Sequence, residues 1–157
     1  LVGVFETDIV NLISTGATGT FPDKNVGTAK PVSTSGFAIT GTSAGNYILT
    51  QPSLIADILA KALTITANDL SKIYGTELPF AGTEFTSAGL IDGDVITGVT
   101  LTSDGAPALA DAGTYSIIAS GGSNSNYNIT YVNVVLTVDK AEQVITFAQI
   151  PAGLRMT

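Results

Sequence analysis

The chain repeats itself, and that constrains its fold more than any other feature of the sequence. KNVGTAKPVSTSG at 24–36 parallels ADAGTYSIIASGG at 110–122, with Gly27-Thr28 on Gly113-Thr114, 86 positions apart. AGNYILT at 44–50 parallels NSNYNIT at 124–130, with Tyr47 on Tyr127, 80 apart. IADILAKALTIT at 55–66 runs beside VVLTVDKAEQVITF at 134–147, with Lys61-Ala62 on Lys140-Ala141, 79 apart. Asp8-Ile9-Val10 and Asp94-Val95-Ile96 keep the offset of 86, so the drop to 80 marks a loop of different length. A period near 80 is longer than solenoid repeats and suits small domains strung as beads, each with its own core. The chain divides accordingly: 1–60 is a unit lacking its first strand, 61–140 a complete unit, and 141–157 the entry strand of a following one.

Composition decides what such beads can do. Hydrophobic residues make up 45% of the 157, enough for buried cores, while only 12% are charged and the net charge is −7. Solubility rests on Gly, Ser and Thr, and the Thr/Val/Ile bias favours strands. His, Cys and Trp are absent. That removes Ser-His-Asp and thiol catalysis, disulfides, and zinc sites of the usual nitrogen and sulfur type. An acidic pI near 4.1 argues against nucleic acid or an anionic membrane surface as partner. No apolar run approaches the roughly 20 residues of a membrane span. The opening LVGVFETD carries no signal peptide and reads as an excerpt from something longer.

In the complete unit, Leu63, Ile65 and Ala67 alternate with Thr64, Thr66 and Asn68, the period of a half-buried strand. A turn through Asn68-Asp69 and Tyr74-Gly75 follows. Further strands are expected over 80–88, 95–102, 113–120 and 127–138, the last bent near Asn133. Asp92-Gly93-Asp94, Asp104-Gly105 and the Gly/Ser/Asn run at 121–126 punctuate them. The pattern predicts an all-β fold of tandem small antiparallel domains, an immunoglobulin-like sandwich or a β-grasp-like sheet, in an extended array. Residues 53–63 also show helical spacing behind Pro52-Ser53. Their repeat counterpart, 133–142, is Val-rich with alternating Thr, which helices disfavour, so a strand is the expectation for both.

KALTITANDLSKIYGTELPF, GLIDGD, ADAGTYSI and NYNITYVNVVLTVDKA together resemble the YGX variety of MBG domain. KNVGTAKPVSTSGFAITGTSAGNYILTQPSLIADI resembles the second half of a YDG domain, without the Tyr-Asp-Gly segment, and AEQVITFAQIP is similar to the entry strand of another such module. The resemblance spans nearly the whole chain. It implies a repetitive, extended adhesin-like protein, secreted or at the cell surface of bacteria such as Bacteroidetes, with a role in adhesion. It supplies no catalytic residue.

Particular residues carry the remaining expectations. Asp92 and Asp94 are the candidate Ca²⁺ ligands, two carboxylates on one turn, although the fuller D-x-D-x-D-G spacing with a distal Glu is absent and making the turn is their simpler role. Asp69, Asp104, Asp111 and Asp139 are further oxygen donors expected to join them across a domain junction, which would stiffen an extended array. Tyr74, beside a turn, is the ring best placed to stack on a sugar, whereas the matched Tyr47 and Tyr127 read as core. No other cofactor and no enzymatic activity are expected. The leading function is a structural and adhesive module of an extracellular surface protein or filament, with neighbouring units or copies of itself as partners. The alternative is a glycan- or mucin-binding module. Val144, Ile145 and Phe147 in the tail are candidate strand donors to the open edge of the first unit, in the manner of donor-strand complementation.

Overall fold

The computed structural model describes residues 1–146. Their regular structure is twelve strands and a single 3-10 turn at Ala44–Asn46. No helix among them is long and apolar enough to cross a membrane. Contacts divide the described residues into two units, Leu1–Lys61 together with Ser125–Asn128, and Ala62–Asn124 together with 129–146.

In the first unit, β1 (Asn11–Ile13) pairs antiparallel with β4 (Ala38–Thr40). A second sheet has the order β2 (Thr18–Thr20), β3 (Gly27–Ser35), β5 (Leu54–Ile58), all antiparallel. β3 bulges between Gly27 and Lys30, where Ala29 takes φ 50 and its N–H is donated to Asp57 Oδ1 at 2.8 Å. Residues 53–63, which carry helical spacing, form β5 and lead into the next strand, as the repeat argument requires.

Apart from Lys61, Tyr127 and Asn128, which fall in the first unit, the second unit is built from β6 (Lys61–Ala67), β7 (Leu70–Ile73), β8 (Phe85–Ala88), β9 (Thr100–Thr102), β10 (Gly113–Ser120), β11 (Tyr127–Val132) and β12 (Val134–Asp139). They make two sheets, β7-β12-β10-β9 and β11-β6-β8. The core comes from both: Leu63, Ile65 and Ala67 of β6, and Leu101, Ile117, Ala119, Leu136 and Val138 of β9, β10 and β12. That two-sheet arrangement, without a helix, is a sandwich rather than a β-grasp. Asn133, the expected bend, is where the chain passes from one sheet to the other.

Three expectations change. The sheets are not purely antiparallel, because β7, absent from the sequence reading, runs parallel to β12 with Leu70 opposite Leu136 and Ile73 opposite Asp139. The strand expected over 80–88 begins only at Phe85. The Glu84 carboxylate collects the N–H groups of Ala81, Gly82 and Thr83 at 2.9, 3.0 and 3.0 Å and so withholds them from a ladder. The strand expected over 95–102 shrinks to β9, since Gly98 takes φ 75 and only an isolated bridge, Thr97 to Ser123, precedes it.

The repeat is carried by pairing registers. Gly27 faces Ile58 as Gly113 faces Val138, which keeps the sequence offsets of 86 and 80. Past the bulge, Val32 faces Leu54 as Ile117 faces Val134. Thr18 faces Ser35 as Thr100 faces Ser120, with the two hydroxyls 3.0 Å apart in each pair. Gly36 and Gly121 take φ 82 and 79, and a Cβ on either would lie 2.7 or 2.6 Å from the carbonyl oxygen of Gly16 or Gly98. Thus β2, β3 and β5 answer to β9, β10 and β12.

Candidate functional site

Matching the registers shows what residues 1–61 lack. Nothing in them answers to β6 or β7. In the second unit β6 lies beside β11, where Thr130 Oγ1 donates to the Leu63 carbonyl at 3.3 Å. The counterpart of Tyr127–Thr130 is Tyr47–Thr50, which forms no strand, and Ile48 is 98% exposed there. In the second unit β7 pairs with the outer edge of β12. The corresponding edge of β5 has no strand partner among the described residues, and Ile55 is 69% exposed.

Burial follows the same division. Four large side chains of the second unit, Leu63, Ile65, Ile117 and Leu136, are fully enclosed, whereas no residue of 1–61 is buried. The residues around a cleft of the first unit include Val4, Val10, Ile39, Tyr47, Ile48 and Leu49. Tyr47 is therefore only half-buried, a correction to its expected core role, while Tyr127 at 6% exposure fits that role. The Tyr47 hydroxyl donates to Asp8 Oδ2 at 2.6 Å and accepts the Phe5 N–H at 3.1 Å. The Asp8 carboxylate, by accepting that proton, holds the phenol above its usual pKa.

Val144 and Ile145 are 81% and 73% exposed in an irregular segment, and Phe147 lies outside the described residues.

The remaining sequence candidates lie in the second unit. Asp92 is exposed and Asp94 half-buried, with the Asp94 N–H closing a turn onto the Ile91 carbonyl at 3.0 Å. Among the described residues no three carboxylates gather where a cation would sit. Asp69 instead accepts the Val135 N–H at 2.8 Å, and the Asp111 carbonyl accepts the Tyr115 hydroxyl at 2.9 Å. Tyr74 is 41% exposed, its backbone N–H held by the Asp139 carbonyl at 2.8 Å.

Lys72 was not singled out by its sequence context. It is 7% exposed, and its Nζ donates to the carbonyls of Thr76 at 2.9 Å, Ala106 at 3.3 Å and Pro107. This cage fastens the Tyr74-Gly75 turn to the loop 103–110, helped by the Gly75 N–H on the Ala108 carbonyl at 2.9 Å. The one available signal is that Lys72 stands two positions after the half-buried Leu70, where β alternation turns a side chain inward.

Comparison with known families matches residues 63–137 to the MBG domain (YGX type) and residues 1–54 to the YDG domain. No curated protein and no solved structure matches the chain.

Proposed function

We propose that this chain, which carries a YDG domain and an MBG domain of the YGX type in tandem, is a structural and adhesive segment of a large extracellular bacterial surface protein. It serves as consecutive beads of a stalk. The observation that carries this reading is the register-for-register duplication of β2, β3 and β5 in β9, β10 and β12. A sheet plan that can be copied without redesign suits lengthening by repetition. The complete second unit encloses its own core, as a load-bearing bead must. A sequence without His or Cys fits a non-enzymatic role, and the reading requires no cofactor.

Partners in this reading are neighbouring units or further copies. Assembly proceeds by strand addition, with the exposed Val144 and Ile145, and Phe147 after them, donated to a neighbour. A glycan- or mucin-binding module is the second reading, favoured by the exposed Tyr74 ring on a backbone fixed by Asp139.

Single-molecule pulling on tandem copies, with immunolabelling of intact source cells, tests the stalk. Separate unfolding events for successive second units and surface label are expected. A single event for the whole array, or label confined inside the cell, would refute it. A glycan array decides the second reading: a binding signal lost in Tyr74→Ala supports it, and silence across the array removes it.

A further inference from the structure

β10 is longer than the strand beside it, and the second unit opens where that strand stops. β9 meets β10 only over Ile118, Ala119 and Ser120. Next to this stretch is a recess of about 260 Å³, lined by Thr102, Ser103, Asp104, Tyr115, Ser116 and Ile118. We infer that the recess binds one neutral saccharide residue, held by the Asp104 carboxylate and the backbone of Ser116. The inference rests on the glycan-binding reading above and gives it a site that Tyr74 does not line.

The direction of the Ser116 backbone follows from its neighbours. Val135, opposite Ser116, donates its N–H to Asp69 Oδ1 at 2.8 Å, on the β7 side of β12. Opposed residues of an antiparallel pair exchange both backbone bonds or neither, so Ser116 turns its N–H and C=O to the far edge of β10. Along that edge Ile118 meets Thr102 of β9, but Ser116 meets no strand among the described residues. An amide donor and a carbonyl acceptor are thus presented together.

Asp104 is fixed beside them. It is a central residue of the turn that the Ala106 N–H closes on the Ser103 carbonyl at 3.1 Å, and Ser103 Oγ accepts the Gly105 N–H at 3.3 Å. Gly105 lies so close to Tyr115 that a Cβ on it would stand 2.6 Å from the ring Cδ2. The ring in turn is tied through its hydroxyl to the Asp111 carbonyl at 2.9 Å, and Lys72 holds the carbonyls of Ala106 and Pro107. The Asp104 carboxylate itself is exposed and has no partner among the described residues. A carboxylate so placed can accept charge-assisted bonds from adjacent sugar hydroxyls. Ile118, 48% exposed, offers an apolar surface to the C–H face of the ring. Pockets for drug-sized ligands hold roughly 300–1,000 Å³, so this smaller recess suits a single ring. The net charge of −7 and Asp104 itself disfavour acidic sugars. An extended peptide fits less well, since only Thr114 and Ser116 turn their backbone to this length of edge.

The first unit shows that the sheet does not need these polar groups. With Thr20 answering to Thr102 and Val32 to Ile117, Phe21, Pro22 and Pro31 take the places of Ser103, Asp104 and Ser116. Pro31 is tolerated because that register asks no N–H of it toward β5.

Titrating the full chain with methyl glycosides of glucose, galactose, mannose, N-acetylglucosamine and sialic acid, read by amide NMR, tests the inference. Saturable shifts at 104–105 and 116–118 are expected with at least one neutral sugar and none with the sialoside. Asp104→Asn and Ser116→Pro, the latter patterned on Pro31, should each weaken binding by about tenfold or more, the equivalent of one hydrogen bond to a charged or fixed group. The amides of Leu63 and Ile117 should keep their positions in both, and Tyr74→Ala should leave the affinity unchanged. Binding lost in Tyr74→Ala but kept in Asp104→Asn and Ser116→Pro overturns the recess and leaves the glycan reading standing. A sialoside that binds as well as the neutral sugars overturns the stated ligand class. No saturable shift with any sugar overturns the site, and a silent glycan array besides removes the glycan reading too. A Thr-Val hexapeptide that shifts 113–118 where no sugar does replaces the saccharide with an added strand.

Discussion

Lys72→Met is the substitution whose outcome the geometry fixes most closely. Lys72 brings three N–H donors to three carbonyls in a site 7% exposed. Hydrogen bonds to a charged group contribute about 1.5–3 kcal/mol each, so a simple sum would forecast a loss above roughly 5 kcal/mol. That sum overstates the effect, because two of the acceptors keep other donors. The Ala106 carbonyl also accepts the Leu78 N–H at 3.0 Å, and the Pro107 carbonyl accepts the Ala110 N–H at 3.1 Å. The third belongs to Thr76, an exposed residue whose carbonyl water can reach. Burying the ammonium also carries a desolvation cost that the thioether escapes.

The expected loss for Lys72→Met is therefore about 1–2 kcal/mol. Lys72→Ala should lose roughly 3 kcal/mol, since it removes the packed aliphatic stem as well. Native-state hydrogen exchange at β10 and β12 reads the stability of the second unit separately from the first. A loss beyond about 4 kcal/mol in Lys72→Met would refute the reasoning, by showing that the charge itself is indispensable. Equal losses in the Met and Ala variants would refute the part assigned to the stem.

Three further substitutions probe the repeat and its loops. Ile117→Ala should destabilise the second unit by about 3–4 kcal/mol, whereas its register twin, Val32→Ala, should change the unassembled first unit by about 1 kcal/mol or less, because only Ile117 is fully enclosed. Calorimetry checks the difference. Gly121→Ala and Gly36→Ala should each cost about 2 kcal/mol or more, since both positions have positive φ and the new Cβ meets a carbonyl oxygen. Denaturation midpoints that fall for one unit alone would break the equivalence. The Glu84 carboxyl is held below its ordinary pKa first by the Ala81 N–H and then by the other amides of its loop. Its contribution is therefore present above the unfolded value, near 4.5, and is lost as pH falls through the lower folded value. Amide exchange at 81–83 should accelerate over that acid range and become insensitive to it in Glu84→Gln.

Which features were legible in the sequence follows from how each is encoded. The repeat shows because its anchors do backbone or core work: Gly27 and Gly113 open equivalent strands, and Tyr127 is buried. β10 and the sheet change at Asn133 show because alternation there is long and regular. β7 does not, because Leu-Ser-Lys-Ile is four residues long and turns a Lys inward toward carbonyls. Its parallel pairing with β12 joins segments some 66 positions apart, a distance over which alternation carries no information. Tyr47 reads like Tyr127 in sequence, yet burial depends on what covers a residue, and the strand that would cover Tyr47 is missing from 1–61.

That two units share registers but not burial separates what shapes a sheet from what stabilises it. Registers are set by features both units possess: the Thr-Ser hydroxyl pairs and the positive-φ glycines at the close approach. Stability comes from enclosure, at about 1.5–3 kcal/mol for each fully buried aliphatic side chain. The second unit has four such side chains and the first has none. Ordering a backbone costs about 1–2 kcal/mol per residue, so a sheet without enclosed side chains has little to offset that cost. In chemical denaturation of the full chain the first unit should accordingly unfold at lower denaturant than the second, and a single coincident transition would show that the first unit draws its stability from elsewhere.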